Sequence, residues 1–410
     1  MEAFLARWGE AAYTSLGFFW MALWAFILGY LISSLIQVLI TRKRMRQSMG
    51  GNNLKSVSLG SFFGFISSSC SFAALATTRA LFNKGAAFSA SMAFLLASTN
   101  LVIELGFVIA IFLGWQFVVG EYVGGILLIL FAWLFITLTN PTQLIAKARD
   151  KEADDEDDID GSSLSDLLSL QTWHQVAMKF VMEWQMVWKD VLIGFTVAGI
   201  ISAFVPSAFF EWLFLGVGSE QELGFWSVLQ QAVVGPIAAF FTFIGSMGNI
   251  PLAAVLFGEG VAFAGVMAFI FSDLVVLPVL RINARYYGWK MSLYIALMLF
   301  VCLVATALVM HYGLLSLDLL PSLDNWSSPK EQQHFSLNYG FVLNVIFLVM
   351  AAVLVKFYRD HQRQHQGHHH HHDHDHGGGG RSLSQTVLLV LSGISVLWLI
   401  GGMLVYLLSA

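Results

Sequence analysis

Long apolar runs separated by short polar loops are the dominant pattern of this chain. A helix needs roughly 20 predominantly apolar residues to cross the hydrocarbon core of a bilayer. Eight runs meet this requirement and predict membrane-spanning helices: Leu16–Ile40, Ala86–Leu113, Gln116–Leu138, Val187–Phe210, Val261–Leu280, Met291–His311, Leu337–Val355 and Thr386–Leu408.

Two further apolar stretches do not fit a single straight crossing. Val57–Phe82 is interrupted by the polar run SSSCS at positions 67–71. Gly224–Phe257 is too long for one crossing and contains a Gly-Pro pair followed by GSMGNIP at positions 245–251. Because glycine and proline at such places break helices, each stretch is predicted to be an interrupted helix.

Lys and Arg residues indicate which loops are cytoplasmic, since they accumulate in short loops on that side. The loop 42–55 contains five bases and no acid, and bases at 147–179 precede the Val187 span, although acids crowd that loop as well. Both loops are therefore predicted to be cytoplasmic. Three apolar stretches lie between them, so one must return to its starting side. The interrupted stretch Val57–Phe82 is predicted to be that re-entrant hairpin.

The same reasoning applies to the second half. The loop 211–222 contains three glutamates and no base, which predicts an external loop, whereas 281–290 contains bases and no acid, which predicts a cytoplasmic one. The two apolar stretches between them then make one net crossing, so Gly224–Phe257 is predicted to be a second re-entrant hairpin. Such backbone is tolerated only where protein or a water-filled cavity covers it.

An internal repeat supports this arrangement. A shift of 175 residues places Ser71 on Ser246 and Met92-Ala93-Phe94 on Met267-Ala268-Phe269, and it keeps the flanking spans in register. By the charge rule the two halves enter the membrane from opposite sides. Repeats of inverted topology are typical of secondary transporters.

Together these patterns predict an all-α polytopic membrane protein with about eight transmembrane helices, two re-entrant helical hairpins and two inverted repeats. The charge rule places the N-terminus outside, and the plasma (inner) membrane is the location implied by the family resemblance described below. The predicted segments are repeat 1 (16–139, hairpin 57–82), an acidic cytoplasmic linker (140–184), repeat 2 (185–313, hairpin 224–257), an external loop (314–336) and a C-terminal helix pair (337–410) with a His-rich cytoplasmic loop (361–380).

Composition excludes several classes of protein. Charged residues make up only 11% of the chain, whereas a soluble domain has roughly 25%, so a lipid bilayer is the expected partner and nucleic acid is not. The sequence lacks a Gly-Lys dipeptide, HExxH and GxSxG, so we do not expect an ATPase or another enzyme. The two cysteines, Cys70 and Cys302, make no disulfide framework. Nothing in the sequence decides for or against a homo-oligomer.

The segment Ile66–Val102 contains Ser69-Cys70-Ser71, then Lys84-Gly85, then Phe94-Leu95-Leu96-Ala97-Ser98. In this order the elements resemble the first signature of the predicted permease family that includes the ArsP and YraQ proteins. The stretches GPIAAFFTFIGSMGNIPLAAVLFGEG and SDLVVLPVLRINARYYGWK, within 235–290, are similar to the same family. The resemblance covers roughly Leu16 to Tyr312. It implies a polytopic inner-membrane permease, and some family members export trivalent organoarsenicals.

One position departs from the family's pattern. Relatives often carry Cys-Ser-Cys where this chain has Ser68-Ser69-Cys70, with a single thiol. Trivalent arsenic and soft metals favour thiolate ligands, normally more than one. The resemblance therefore implies a permease without implying an arsenical as its solute.

The interruptions of the two hairpins are the predicted solute site. Broken helix ends carry partial charge and free backbone groups that can hold an ion or a polar solute. Tight helix packing is the alternative role for small residues at these positions. The candidate residues are Ser68, Ser69, Cys70 and Ser71 in the first hairpin, and Thr242, Gly245, Ser246 and Asn249 in the second.

Three polar residues within the predicted spans extend this site. A charged group at membrane depth costs at least roughly 2.5 kcal/mol, so Glu104 and Asp273 are expected to face a cavity, where both could titrate during transport. Capping a hairpin or lying near an interface is the alternative for either acid. Asn100 precedes Glu104 by four residues and shares its helix face. Glu121 lies close to a span end and is not predicted to belong to the site.

A histidine-rich tract lies outside the predicted membrane core. Nine of the twelve histidines fall within 361–376. No cofactor is required, but imidazole and carboxylate groups suit Zn, Ni, Co or Cu. A metal buffer or a flexible loop without a role in transport is the alternative. The candidate ligands are His368, His369, His370, His371, His372, Asp373, His374, Asp375 and His376.

Three functions remain open from the sequence. The first is a permease that exports a small solute by alternating access through a midplane site formed by the two hairpins. The second is a divalent metal ion transporter that uses the His-rich loop for metal delivery or sensing. The third is a membrane scaffold or sensor that moves no solute.

Overall fold

The structure is a computed structural model of the full chain. Its described residues are 2–39, 53–67, 71–83, 85–149, 169–218, 223–240, 246–323, 326, 335, 339–365 and 383–409. The helices are α1 Glu2–Leu39, α2 Leu54–Ser67, α3 Ser71–Asn83, α4 Phe88–Asn100, α5 Ile103–Phe112, α6 Trp115–Thr139, α7 Thr142–Arg149, α8 Leu170–Phe204, α9 Ser207–Leu213, α10 Phe225–Phe240, α11 Ser246–Gly258, α12 Phe263–Ile270, the 3-10 helix Phe271–Leu274, α13 Leu277–Tyr287, α14 Trp289–Ser316, α15 Tyr339–His365 and α16 Leu383–Ser409.

The helices confirm the predicted fold class. By length and composition, seven stretches of the described chain could cross a membrane; they lie in α1, α6, α8, the α12–α13 segment, α14, α15 and α16. Helices α4 and α5, bent by 43° at the break between them, make an eighth crossing if they are taken together. Each of the eight predicted spans overlaps one of these, so the chain is a polytopic all-α membrane protein.

Two separate helices are described in each of the two stretches predicted to be interrupted. Val57–Phe82 consists of α2 and α3, and Gly224–Phe257 consists of α10 and α11. These four helices contain 13 to 16 residues. At about 1.5 Å per residue their lengths are about 20–24 Å, which is shorter than a hydrocarbon core of about 30 Å.

Glycine contacts show how α2 lies against α4. An added Cβ at Gly60 would overlap the carbonyl oxygen of Ala90, and one at Gly64 would lie 2.8 Å from the Cβ of Ala97. Because the residue numbers rise together along both helices, α2 and α4 run parallel. Helix α3 must therefore bring the chain back to the end at which α2 began.

The second interrupted stretch is arranged in the same way. An added Cβ at Gly235 would lie 2.6 Å from the carbonyl oxygen of Gly265. One turn earlier, Gln231 Oε1 accepts a hydrogen bond from the backbone N–H of Ala262 (2.7 Å). Helices α10 and α12 are thus also parallel, and α11 returns between them.

The α3–α4 turn and the α11–α12 turn lie at opposite ends of the molecule. At one end, the Arg149 guanidinium donates a hydrogen bond to the carbonyl of Ala86 (2.9 Å). At the other, Trp326 Nε1 donates to the carbonyl of Phe112 (3.1 Å), and the Trp326 ring packs on Phe257 (5.1 Å between centroids). The α4–α5 pair connects these ends because it runs from Phe88, two residues after Ala86, to Phe112.

Both central spans are broken near their middle, which the sequence analysis did not predict. Helix α4 ends at Asn100 and α5 begins at Ile103. In the second half, α12 tightens into the 3-10 helix Phe271–Leu274, and α13 then begins at Leu277 with a proline in its first turn. Under the 175-residue shift, the two breaks fall within one residue of each other.

The C-terminal helices α15 and α16 pack against α1 and α8. Asn344 of α15 is buried, and its amide bonds to the backbone of α1 twice. Its Oδ1 accepts from the N–H of Trp24 (2.8 Å), and its Nδ2 donates to the carbonyl of Trp20 (2.7 Å). Trp20 and Trp24 are four residues apart, so the amide bridges a donor and an acceptor that normally pair within the helix. Asn344 therefore connects α15, the first helix of the C-terminal pair, to α1 by hydrogen bonds.

Replacing Asn344 with leucine is expected to destabilise the protein by about 1–3 kcal/mol, because the substitution leaves buried backbone groups of α1 without their side-chain partners. Thermal unfolding of the full chain in detergent measures this. Ser392→Ala in α16 is the control, since the Ser392 hydroxyl bonds, among the described residues, only to the carbonyl of Leu389 in its own helix. Equal melting temperatures for the two variants would show that the Asn344 amide does not hold α15 in place.

Candidate functional site

The described candidate residues all lie at helix ends or breaks. Ser71 begins α3, and Ser246 begins α11 with Asn249 in its first turn. Asn100 ends α4, Glu104 lies in the first turn of α5, and Asp273 lies in the 3-10 helix. The remaining candidates lie outside the described residues: Ser68, Ser69, Cys70, Thr242, Gly245, and the tract from His368 to His376.

A short hydrogen bond joins the second interrupted stretch to the second broken span. Ser246 Oγ donates to Asp273 Oδ2 at 2.7 Å. Hydrogen bonds to a charged acceptor are shorter and stronger than neutral ones. Asp273 is only 2% exposed. The structure therefore brings together two residues that the sequence assigned to the site from separate segments.

Asn249 is a second polar group of this region. Its side chain is 0% exposed, and neither its Oδ1 nor its Nδ2 has a hydrogen-bond partner among the described residues. The neighbouring Gly248 lies directly against Gly194 of α8, where no side chain fits between the two backbones. A buried amide that makes no hydrogen bond is costly, so Asn249 has the unused capacity that a ligand-binding amide needs.

The first half contributes Asn100 and Glu104. Asn100 Nδ2 donates to the carbonyl of Leu96 (3.0 Å) and to Thr99 Oγ1 (3.1 Å), so these bonds stay within α4. Glu104 is 4% exposed and lies at the N-terminus of α5, where the helix dipole favours negative charge. Its side chain packs against Gly29 of α1, where an added Cβ would collide with it.

The sequence analysis missed Glu121. This carboxylate is 0% exposed, and neither of its oxygens has a hydrogen-bond partner among the described residues. Its charge interacts with that of Asp273, and the charges of Glu121 and Glu104 both act on Tyr122. Glu121 thus lies close enough to Asp273 of the second half for the two charges to interact. The available signal was the run GEYVGG at 120–125, because small residues at this spacing mark close helix packing in membranes.

The described residues show no group of three or more His, Cys, Asp or Glu side chains placed to hold a metal ion. The predicted metal ligands of the His-rich tract are not among them, so metal binding by that tract stays a prediction. The one cysteine within the described ranges, Cys302, is buried in α14 and is not in a disulfide.

Broken central spans, short paired helices and buried acids at the breaks define a polytopic membrane protein of the transporter class. The family model for predicted permeases of the ArsP type matches residues 7–312. The protein named "Putative permease Rv2963" of Mycobacterium tuberculosis is 36% identical over 329 residues, which is 77% of this chain and 79% of that protein. No solved structure matches. The chain belongs to this predicted permease family.

Proposed function

We propose that this permease exports a small solute across the plasma membrane by alternating access, through a mid-membrane site where its two interrupted stretches meet the two broken spans. The observation that carries the proposal is the hydrogen bond between Ser246 and Asp273, which joins one interruption to one break. The export direction follows the resemblance to a family with exporting members. Family membership favours transport over catalysis.

The short helices support the re-entrant arrangement. Helices α2, α3, α10 and α11 are each shorter than the hydrocarbon core, and each pair leaves the chain at the end where it began. A re-entrant hairpin is the simplest path for such a pair in a bilayer, because its tip is then covered by neighbouring protein. The buried glycine contacts of α2 with α4, and of α10 with α12, provide that cover.

Matching contacts support two inverted repeats. The same contact occurs in both halves: Gly60 packs against Ala90, and Gly235 packs against Gly265. A shift of 175 residues converts the first pair of positions into the second. The turn that follows each pair of short helices lies at the opposite end of the molecule from its counterpart. Two inverted repeats, related by a pseudo-two-fold axis that lies in the membrane plane, are a common architecture of transporters that work by alternating access.

The two repeats differ in packing. Alternating access requires such a difference, because in each state the solute site is open to one side of the membrane and closed to the other. Helix α1 packs along α5, and α8 packs along α11 through Gly194 and Gly248. Among the described residues, the equivalent pairs α8–α13 and α1–α3 do not pack in this way. The two packed pairs lie toward the end of the molecule near Phe112, whereas the two pairs without this packing lie toward the end near Arg149, which the charge rule assigns to the cytoplasm. A site open toward the cytoplasm is the loading state of an exporter.

An accumulation assay tests the proposed function. Cells expressing the wild-type chain and cells expressing Asp273→Asn at equal membrane levels are exposed to a panel of trivalent organoarsenicals, divalent metal ions and organic cations, and the intracellular content is measured. The proposal predicts that wild-type cells hold less of at least one solute and that Asp273→Asn cells do not. Equal contents for every solute, with both proteins in the plasma membrane, would count against an exporter of these classes.

A further inference from the structure

Glu121 is a buried acid to which the proposed solute site gives no role. It lies near the start of α6, and the structure leaves both its carboxylate oxygens without a hydrogen-bond partner among the described residues. A carboxylate at membrane depth that lacks a partner is expensive, and such residues usually serve ion or proton pathways.

Two glycines bring three helical elements around Glu121. An added Cβ at Gly120 would lie 2.8 Å from the Phe263 ring and 3.0 Å from Met267 Sδ. One at Gly124 would lie 2.8 Å from the Phe271 ring. Helix α6 therefore packs directly on α12 and on the 3-10 helix that contains Asp273. The absence of side chains at these glycines lets the Glu121 backbone approach Asp273.

The second acid of this interface is Asp273, two residues after Phe271. Because the Phe271 ring lies against Gly124, three residues after Glu121, both acids lie at the same helix contact, close enough for their charges to repel. Two carboxylates that lie close together and away from water are costly to charge at the same time. Desolvation and mutual repulsion both disfavour the doubly charged state. One bound proton removes one of the two charges.

Thr306 of α14 provides an independent observation at the same place. It is 0% exposed, and its Cγ2 would be 3.4 Å from an added Cβ at Gly124. Its hydroxyl has no hydrogen-bond partner among the described residues. Buried hydroxyl groups are nearly always hydrogen-bonded in folded proteins. An orphaned hydroxyl at the contact of Gly124, three residues after Glu121, indicates a polar site whose hydrogen bonds depend on an additional occupant or on proton position.

We infer that Glu121 and Asp273 form a site for one exchangeable proton, bordered by Thr306, and that this proton is the coupling ion of the permease. The coupling role rests on the proposed function, whereas the proton site itself does not. Ser246 bonds to Asp273, so movement of the second interrupted stretch during transport would change the surroundings of the acid pair. Proton release would then be linked to the state of the solute site.

Few other ionisable groups lie on the elements packed around this pair. Helices α4, α10, α11 and α12 contain none. Tyr122 adjoins Glu121, and Glu104 acts on Tyr122 from α5. Helix α14 contributes Cys302 and His311 on either side of Thr306, with Lys290, Tyr294 and Tyr312 nearer its ends.

Infrared spectroscopy of the full chain in lipid tests the proton site without any solute. The carbonyl stretch of a protonated carboxylic acid is recorded as the pH is cycled. The expected result is a reversible band in the wild type that is lost in Glu121→Gln, retained in the control Glu10→Gln at an exposed position, and altered in Asp273→Asn and in Thr306→Val. Thr306→Val keeps the test decisive if Glu121→Gln does not fold.

Three results would overturn the inference. The first is a carbonyl band that is unchanged in Glu121→Gln. If that variant does not fold, the equivalent result is a band that is unchanged in both Asp273→Asn and Thr306→Val. Another is a wild-type Glu121 band that does not respond to pH, which would make Glu121 a permanently neutral packing residue. The third is loss of the band on adding NaCl but not choline chloride at constant pH, which would make this a sodium site. If the accumulation assay fails while the band behaves as expected, the proposed function is wrong and the proton site stands.

Discussion

Alanine at Gly60 or at Gly235 is expected to destabilise the folded protein by about 3 kcal/mol, near the upper end of the usual cost of overpacking. At both positions an added Cβ would meet a backbone carbonyl, that of Ala90 or that of Gly265. A backbone atom in a packed helix cannot move aside as a flexible side chain can. The two substitutions should cost nearly the same because the two contacts are equivalent under the internal repeat.

Thermal unfolding of the purified full chain measures this effect. Gly313→Ala and Gly393→Ala are matched controls, since they also lie in helices, and no neighbouring helix or loop of the described chain comes within 4 Å of the added Cβ. The controls should be neutral or stabilised by roughly 0.5–1 kcal/mol, because alanine favours helix over glycine. If Gly60→Ala and Gly235→Ala had the same melting temperatures as the controls, the close parallel packing of α2 on α4 and of α10 on α12 would be incorrect.

Loss of the bond between Ser246 and Asp273 is expected to slow transport by roughly ten- to a hundredfold. A hydrogen bond to a charged group is worth about 1.5–3 kcal/mol, and each 1.4 kcal/mol corresponds to about a factor of ten. Ser246→Ala and Asp273→Asn both weaken this bond. Since they act on one interaction, the double variant should be little worse than the more impaired single variant.

Initial efflux rates from proteoliposomes, with the solute that the accumulation assay identifies, provide the measurement. Thr137→Val is the control, because the one bond of the exposed Thr137 hydroxyl within the described part of the chain is to the carbonyl of Trp133 in its own helix. Additive losses in Ser246→Ala and Asp273→Asn would show that the two residues act separately. Wild-type rates in both would remove the bond from the transport mechanism.

The membrane spans could be predicted from the sequence because a single physical requirement, enough apolar residues to cross the hydrocarbon core, determines them. The interruptions in Val57–Phe82 and Gly224–Phe257 could be predicted for a similar reason, since a serine run and a glycine- and proline-rich run are poor helix interiors. Both signals are local, so they can be recognised in the sequence without knowing which helices pack against each segment.

The break in the first central span could not be predicted in this way, whereas Pro278 marks the second break in the sequence. The two residues at the first break, Leu101 and Val102, are apolar, and no glycine or proline lies between Asn100 and Ile103. The break depends on how α4 and α5 pack against their neighbours, including Gly29 of α1. Local sequence preferences do not reflect such tertiary contacts, so the sequence of this span predicts one continuous helix.

The importance of Glu121 and of Asn344 was hidden for a related reason. Glu121 lies near the end of an apolar run, which suits an interfacial residue equally well, and only the packing of Gly120 and Gly124 turns it inward. Asn344 lies beyond the region of family resemblance, and its role depends on reaching Trp20 and Trp24 of α1. In both cases the decisive fact is the partner across a helix interface.

The account depends most on the two interrupted stretches entering the membrane from opposite faces. Single cysteines at Ala87 and at Glu259, in the turns that follow the two pairs of short helices, are introduced into a chain carrying Cys70→Ser and Cys302→Ala. A membrane-impermeant thiol reagent is then applied to intact cells and to inverted vesicles. The account predicts labelling of Ala87→Cys only in inverted vesicles and of Glu259→Cys only in intact cells. Labelling of both cysteines from the same side would contradict it.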